Sequence, residues 1–147
     1  MQPSTRLLQI TGEPEYIRQA CDFVTRFVAD QGLDDDTAYR CELAVDEVLT
    51  NIIEHGYKFE GANSRIDIEV QRLNHGLQIR IVDDAPPFNP LNQVNPDPQA
   101  PLNERSKGGW GIYFVKKYMN QVRYELIQGR NNLIMTMNAP IDCASNH

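Results

Sequence analysis

Glu47, Asn51 and His55 recur at every fourth position in the segment Glu47-Val48-Leu49-Thr50-Asn51-Ile52-Ile53-Glu54-His55-Gly56-Tyr57. At about 100° per residue, that spacing sets them on successive turns along one edge of a helix, flanking its apolar stripe. Asparagine is a mediocre helix former because its amide competes for backbone hydrogen bonds. Its place beside a core therefore calls for solvent or a specific partner. An exposed Glu and Asn on an ordinary helix, with His55 packing at its end, would give the same pattern. The chain contains no two-histidine motif for zinc.

Two further clusters carry polar groups at element ends. In Ile79-Arg80-Ile81-Val82-Asp83-Asp84-Ala85-Pro86-Pro87-Phe88, strand alternation puts Asp83 on the side of Ile79 and Ile81. A half-buried carboxylate needs a donor, either in its own chain as a turn-forming Asp or in the amine of a ligand. In Lys107-Gly108-Gly109-Trp110-Gly111-Ile112, glycines ahead of a helix would let backbone N–H groups approach a phosphate, with Lys107 and the helix dipole favouring its charge. A single glycine-rich turn is a weak signal. The order of all three clusters around one irregular segment strengthens it.

The elements that must position these groups follow from periodicity. Leu7, Leu8 and Ile10 suggest a short strand over 6–11. From Pro14, apolar residues from Tyr16 to Val28 recur at helical spacing until Gly32. Asp34, Asp35 and Asp36 can cap a second helix over about 37–55, with Cys41, Ala44, Val45, Val48, Leu49 and Ile52 as its buried stripe and Gly56 as its end. Alternation over Ile66–Gln71 and Leu77–Ile81 around Asn74-His75-Gly76 predicts a hairpin. A third helix carries Ile112, Phe114, Val115, Tyr118 and Met119, and strands over 122–127 and 133–137 close the chain. The order ααββαββ after a first strand predicts a two-layer α/β sandwich, a mostly antiparallel sheet with helices on one face. Six of the 9 prolines fall between Ala85 and Gly108, which excludes regular structure there and suggests a lid over about 85–108.

With 147 residues, the chain has the length of one domain. Its 41% hydrophobic and 23% charged residues are those of an ordinary globular protein. A formal charge of -6 argues against nucleic acid and anionic lipid as partners. No apolar run approaches membrane-spanning length, and the N-terminus has no basic segment followed by an apolar run, so the cytoplasm is expected. Cys21, Cys41 and Cys143 are odd in number and scattered, so no disulfide is predicted, and the first two read as core residues.

Taken together, the three boxes resemble the ATP-binding domain of the GHKL superfamily, with its Bergerat-type fold. The Glu-x-x-x-Asn followed by His-Gly-Tyr looks like the branch of bacterial anti-sigma-factor serine kinases. The resemblance covers nearly the whole chain as a single domain over 1–147. It implies that Asn51 holds Mg²⁺ against the phosphates of ATP, that Asp83 accepts from the adenine amine, and that Gly108, Gly109 and Gly111 cradle phosphates. Arg105 and Lys107 would be further phosphate contacts. It also implies that Glu47 is the general base for a serine hydroxyl of a protein substrate, a role in keeping with a carboxylate one helical turn from a metal-binding amide. The chain departs from the family pattern Asp-x-Gly at Ala85. Pro86 pushes Ala85 toward extended conformations of negative φ, so a backbone that alanine can adopt is expected. No clear counterpart is found for the threonine that many relatives carry early in the last strand.

The function expected from this resemblance is a Mg-ATP-dependent serine/threonine protein kinase that binds a sigma factor and phosphorylates an antagonist protein in a partner-switching pathway. Homodimerisation is implied by the resemblance alone. A histidine kinase is disfavoured, because no dimerisation helices with a phosphoacceptor histidine precede residue 14. The alternative from another class is an interaction module of the same fold that transfers no phosphate.

Overall fold

The computed structural model describes residues 5–92 and 110–138. Its elements run β1 (Thr5–Gly12), α1 (Ile17–Asp30), α2 (Asp35–Asn51), β2 (Gly61–Leu73), β3 (Gly76–Asp83), α3 (Trp110–Tyr118), β4 (Gln121–Ile127) and β5 (Arg130–Asn138). That is the expected order, and the strand read over 6–11 is present as β1. The strands form one sheet in the order β1-β2-β3-β5-β4, antiparallel at every pairing.

Period-two patterning decides which side of this sheet is covered. Ile66, Ile68 and Val70 of β2, Ile79 and Ile81 of β3 and Met135 of β5 are fully buried in one core with Val24, Phe27 and Val28 of α1, Val45 and Leu49 of α2 and Val115 of α3. The opposite face is open and polar, yet Ile134 there is only 1% exposed. Arg80 and Arg123 flank it in register. Arg80 is held by Asn132 and Glu69, and Arg123 by Glu125. Aliphatic arginine stems can cover an apolar side chain while their heads stay in water, so this face needs no second layer of helices.

Local signals account for most helix boundaries. A single 3-10 turn at Pro14–Tyr16 precedes α1. Asp34 caps α2 by accepting from the Thr37 amide at 2.8 Å and its hydroxyl at 2.6 Å, which holds the Asp34 carboxyl below its usual range. Cys21 and Cys41 are buried and free, their thiols pushed up by burial to about 11 and about 12. Cys143 lies outside the described residues.

The last strand begins at Arg130, earlier than the sequence reading, and two further differences bear on the site. The second helix does not run evenly to His55: α2 ends at Asn51 and Ile52–Gly56 form a wider π-helical turn, closed by Tyr57 N–H to the Ile52 carbonyl at 2.8 Å. Strand β2 begins at Gly61, before the apolar alternation, because Gly12 pairs with Gly61 across a bulge in the β1–β2 ladder. A Cβ on Gly61 would stand 2.2 Å from the Gly12 carbonyl oxygen, so only glycine permits this approach. In the expected lid, the described part contains one 3-10 turn at Pro90–Asn92. The remainder lies outside the described residues.

Candidate functional site

The end of α2, its π-turn, the C-terminal end of β3, residues 85–90 and the start of β5 enclose a cleft of about 850 Å³. Val48, Ile52, Ile112 and Leu133 supply apolar wall, while Asn51, His55, Lys58, Asp83, Tyr124 and Asn131 supply polar groups. An apolar pocket with a few convergent polar side chains is the usual form of a small-molecule site.

Asp83 is 5% exposed and lines this cleft. Its Oδ1 accepts from the Ala85 amide at 2.9 Å and from Asn131 Nδ2 at 2.9 Å. Among the described residues, Oδ2 receives no hydrogen bond. Burial pushes the Asp83 carboxyl up from the ordinary carboxylate range, against the two donors and Arg130, while Asp84 adds to the rise. The turn-forming reading of Asp83 is therefore present at one of its oxygens. One oxygen makes a turn with its own chain, and the other is left as an acceptor in the cleft wall.

Ala85 is buried beside it and is absent from the residues of positive φ, as its position before Pro86 leads one to expect. Its methyl group packs close to Gly56, where an added Cβ would come within 3.0 Å of the Ala85 Cβ. The glycine at 56 thus leaves room for the side chain at 85.

Asn51 lines the cleft from the last turn of α2, and among the described residues no hydrogen bond engages its amide. Glu47 lies one turn earlier and is not part of the described lining. Burial, with the charges of Asp46 and Glu54 beside it, pushes the Glu47 carboxyl up. The π-turn then carries His55 onto the cleft wall. Beyond it, Lys58 and Phe59 take φ of 53° and 61°, a left-handed pair that costs about 1 kcal/mol or more per residue. Tyr57 secures this strained exit. Its hydroxyl donates to the Arg65 carbonyl at 2.8 Å and accepts from the Asp84 amide at 2.8 Å, and burial pushes it up to about 12.

The structure thus brings Asn51, Asp83 and Ala85 to one cleft, with Glu47 a helical turn away. Gly111 lies in α3, while Arg105, Lys107, Gly108 and Gly109 are outside the described residues. Asn131, Tyr124 and Tyr57 were missed as site residues. The polar Asn131 ahead of the apolar run Leu133–Met135 was the available signal, but only the β3–β5 register sets it opposite Asp83. The donor set also fits Mg²⁺. That ion commonly takes one or two protein oxygens, with waters and phosphates completing its shell, and among the described residues no hydrogen bond engages the amide oxygen of Asn51. Among the described residues no cluster of three or more His, Cys, Asp or Glu could hold a metal by itself.

A five-stranded antiparallel sheet backed by helices, with an Asn-bearing helix end and a buried Asp meeting at one cleft, is an α/β sandwich of the histidine-kinase-like type. The sequence profile of the histidine kinase-like ATPase domain matches residues 10–137, and the chain belongs to that family. It is similar to the serine-protein kinase RsbW of Bacillus subtilis, 24% identical over 123 residues, covering 80% of this chain and 76% of RsbW. It is also 24% identical over 94 residues to the serine/threonine-protein kinase BtrW of Bordetella bronchiseptica, covering 64% of this chain and 66% of BtrW, just short of two thirds of its length. The crystal structure of the RsbU and RsbW domains of a Mycobacterium tuberculosis protein shares the fold, with a TM-score of 0.64 at 15% identity, over 92% of this chain and 33% of that one. The expected GHKL fold and its kinship with bacterial serine kinases are borne out.

Proposed function

We propose that this chain is a Mg-ATP-dependent serine/threonine protein kinase that acts as an anti-sigma factor in a partner-switching pathway. The observation that carries this reading is the convergence of Asn51 and Asp83 on one cleft, with Glu47 a single helical turn from Asn51. Its kinship with serine-protein kinases supports it.

Each residue has a separate task. The Asp83 Oδ2 accepts from the exocyclic amine of adenine, and Ala85 packs beside the base. The Asn51 amide oxygen holds the metal of Mg-ATP. Gly108, Gly109 and Gly111, with Lys107, offer N–H groups and charge to the phosphates, and the rest of the 85–108 segment serves as lid. Bound Mg-ATP supplies the activated phosphoryl group. Glu47 takes the proton of the incoming serine hydroxyl. Its raised carboxyl suits that task, because a carboxylate that holds a proton more tightly is a stronger base.

The protein substrate is a phosphorylatable antagonist, and the sequestered partner is a sigma factor, with neither nucleic acid nor membrane bound directly. The whole chain acts as one ATP-binding domain in the bacterial cytoplasm, as a homodimer. Among the described residues no helix is long and apolar enough to cross a membrane. A pull-down from the native cell with and without ATP identifies the partner, and incubation with γ-labelled ATP then tests transfer. Label on a serine or threonine of the recovered protein is expected. Nucleotide-dependent capture without label would establish an interaction module instead.

A further inference from the structure

Asn131 is the second residue of β5 and stands directly across from Asp83 in the β3–β5 ladder. It is 6% exposed, and both ends of its amide are engaged. Nδ2 donates to Asp83 Oδ1 at 2.9 Å and to the Ala85 carbonyl at 3.0 Å. Oδ1 accepts from the Phe88 amide at 3.1 Å and from the Tyr124 hydroxyl. These partners fix the orientation of the amide, since a flip would set acceptor against acceptor at Asp83 and Ala85 and donor against donor at the Phe88 amide. One side chain thereby ties the end of β3 and residues 85–88 to β5.

The consequence falls on Asp83. With Oδ1 filled by the Asn131 and Ala85 N–H groups, the carboxylate has only Oδ2 to offer a ligand. The geometry points to Asn131, oriented by Tyr124, as the positioning residue that selects a 6-amino purine over a 6-oxo purine, by keeping Asp83 an acceptor and nothing else. This rests on the reading of the cleft as an ATP site. An ionised carboxylate matches the N–H donors of a 6-amino group. Against a 6-oxo group it sets acceptor opposite acceptor, and a buried polar mismatch of that kind is strongly rejected.

Loss of the Asn131 donor changes the balance at Asp83. Burial and the Asp84 charge are then opposed only by the Ala85 amide and Arg130, and the carboxyl holds its proton to higher pH. The Tyr57 and Tyr124 hydroxyls, His55 and Lys58 are the other titratable groups on the walls around it. A protonated Asp83 can donate as well as accept, so the barrier against a 6-oxo purine falls.

The test is calorimetric titration of Mg-ADP and Mg-IDP into the wild-type protein, Asn131→Leu and Asn131→Asp, from roughly pH 5 to 9. Asn131→Asp keeps the shape of the side chain and sets a second carboxyl beside Asp83, which pushes in the same direction. The wild type is expected to prefer ADP by at least about 30-fold near neutral pH. In each folded variant, ADP should weaken by about tenfold or more, the ADP to IDP preference should fall toward one, and the acid loss of ADP affinity should begin about one pH unit higher. If ADP and IDP weaken equally in a variant that melts as a folded protein, with the pH profile unmoved, Asn131 is only structural and the inference is overturned. A wild type that binds neither nucleotide would overturn the ATP reading of the cleft itself.

Discussion

Asn51 has an amide that no hydrogen bond among the described residues engages, in the last turn of α2 and on the wall of the cleft. An asparagine so placed gives up helix propensity without a structural return, which fits a residue kept for a ligand. Asn51→Ala is therefore expected to leave thermal stability unchanged or slightly raised, and to weaken Mg-dependent ADP binding by about tenfold or more. Calorimetry with and without Mg²⁺ checks it, and wild-type affinity with full Mg²⁺ dependence would exclude Asn51 as the metal ligand. Ala85 presents the opposite case, a departure from family pattern that the backbone absorbs. Its φ is not positive and Gly56 leaves space for its methyl. Ala85→Gly should accordingly change Mg-ADP affinity by less than about tenfold, or ~1.4 kcal/mol. Binding that appears only in the glycine variant would show that Ala85 disables the site.

The π-turn at Ile52–Gly56 is where the sequence pattern stopped being sufficient. Glu47, Asn51 and His55 have the spacing of a continuous helix, and nothing in their types signals a wider turn. Tertiary contacts select it instead: Gly56 against Ala85, and the Tyr57 hydroxyl shared between the Arg65 carbonyl and the Asp84 amide. Asn131 was illegible for a related reason, since its role depends on a register between strands 48 residues apart in sequence. The alternating strands, the amphipathic helices and the Asp34 cap were legible because their signals are local. At this scale Tyr57→Phe is the informative change. It removes the hydroxyl that joins the π-turn to β2 and to the end of β3, and should cost about 1–2 kcal/mol, or ~3–6 °C in Tm. An unchanged melting temperature would mean that the glycine contacts alone hold the turn.

Across the whole molecule, the fold buries an apolar core efficiently and leaves its less favourable electrostatics at the cleft. Asp83 is buried, and Glu47 sits beside Asp46 and Glu54 with its carboxyl pushed up. A carboxyl whose folded value lies above its unfolded one binds more protons in the folded state, so stability falls as pH rises between the two values. Glu47→Gln removes that titration. The variant should match the wild type below the ordinary glutamate range, and melt higher than it as pH rises through and above that range. Thermal melts of both proteins across pH measure the difference, and a gain that shrinks with rising pH would contradict the cause assigned to the shift. The same substitution gives the most direct test of function. With the partner recovered by ATP-dependent pull-down and γ-labelled ATP, single-turnover transfer is compared alongside Mg-ADP affinity in the two proteins. Glu47→Gln is expected to bind Mg-ADP within a few fold of wild type, yet transfer phosphate at least about 100-fold more slowly. Equal loss of binding and transfer, or transfer that survives intact, would contradict Glu47 as the base and the kinase mechanism built on it.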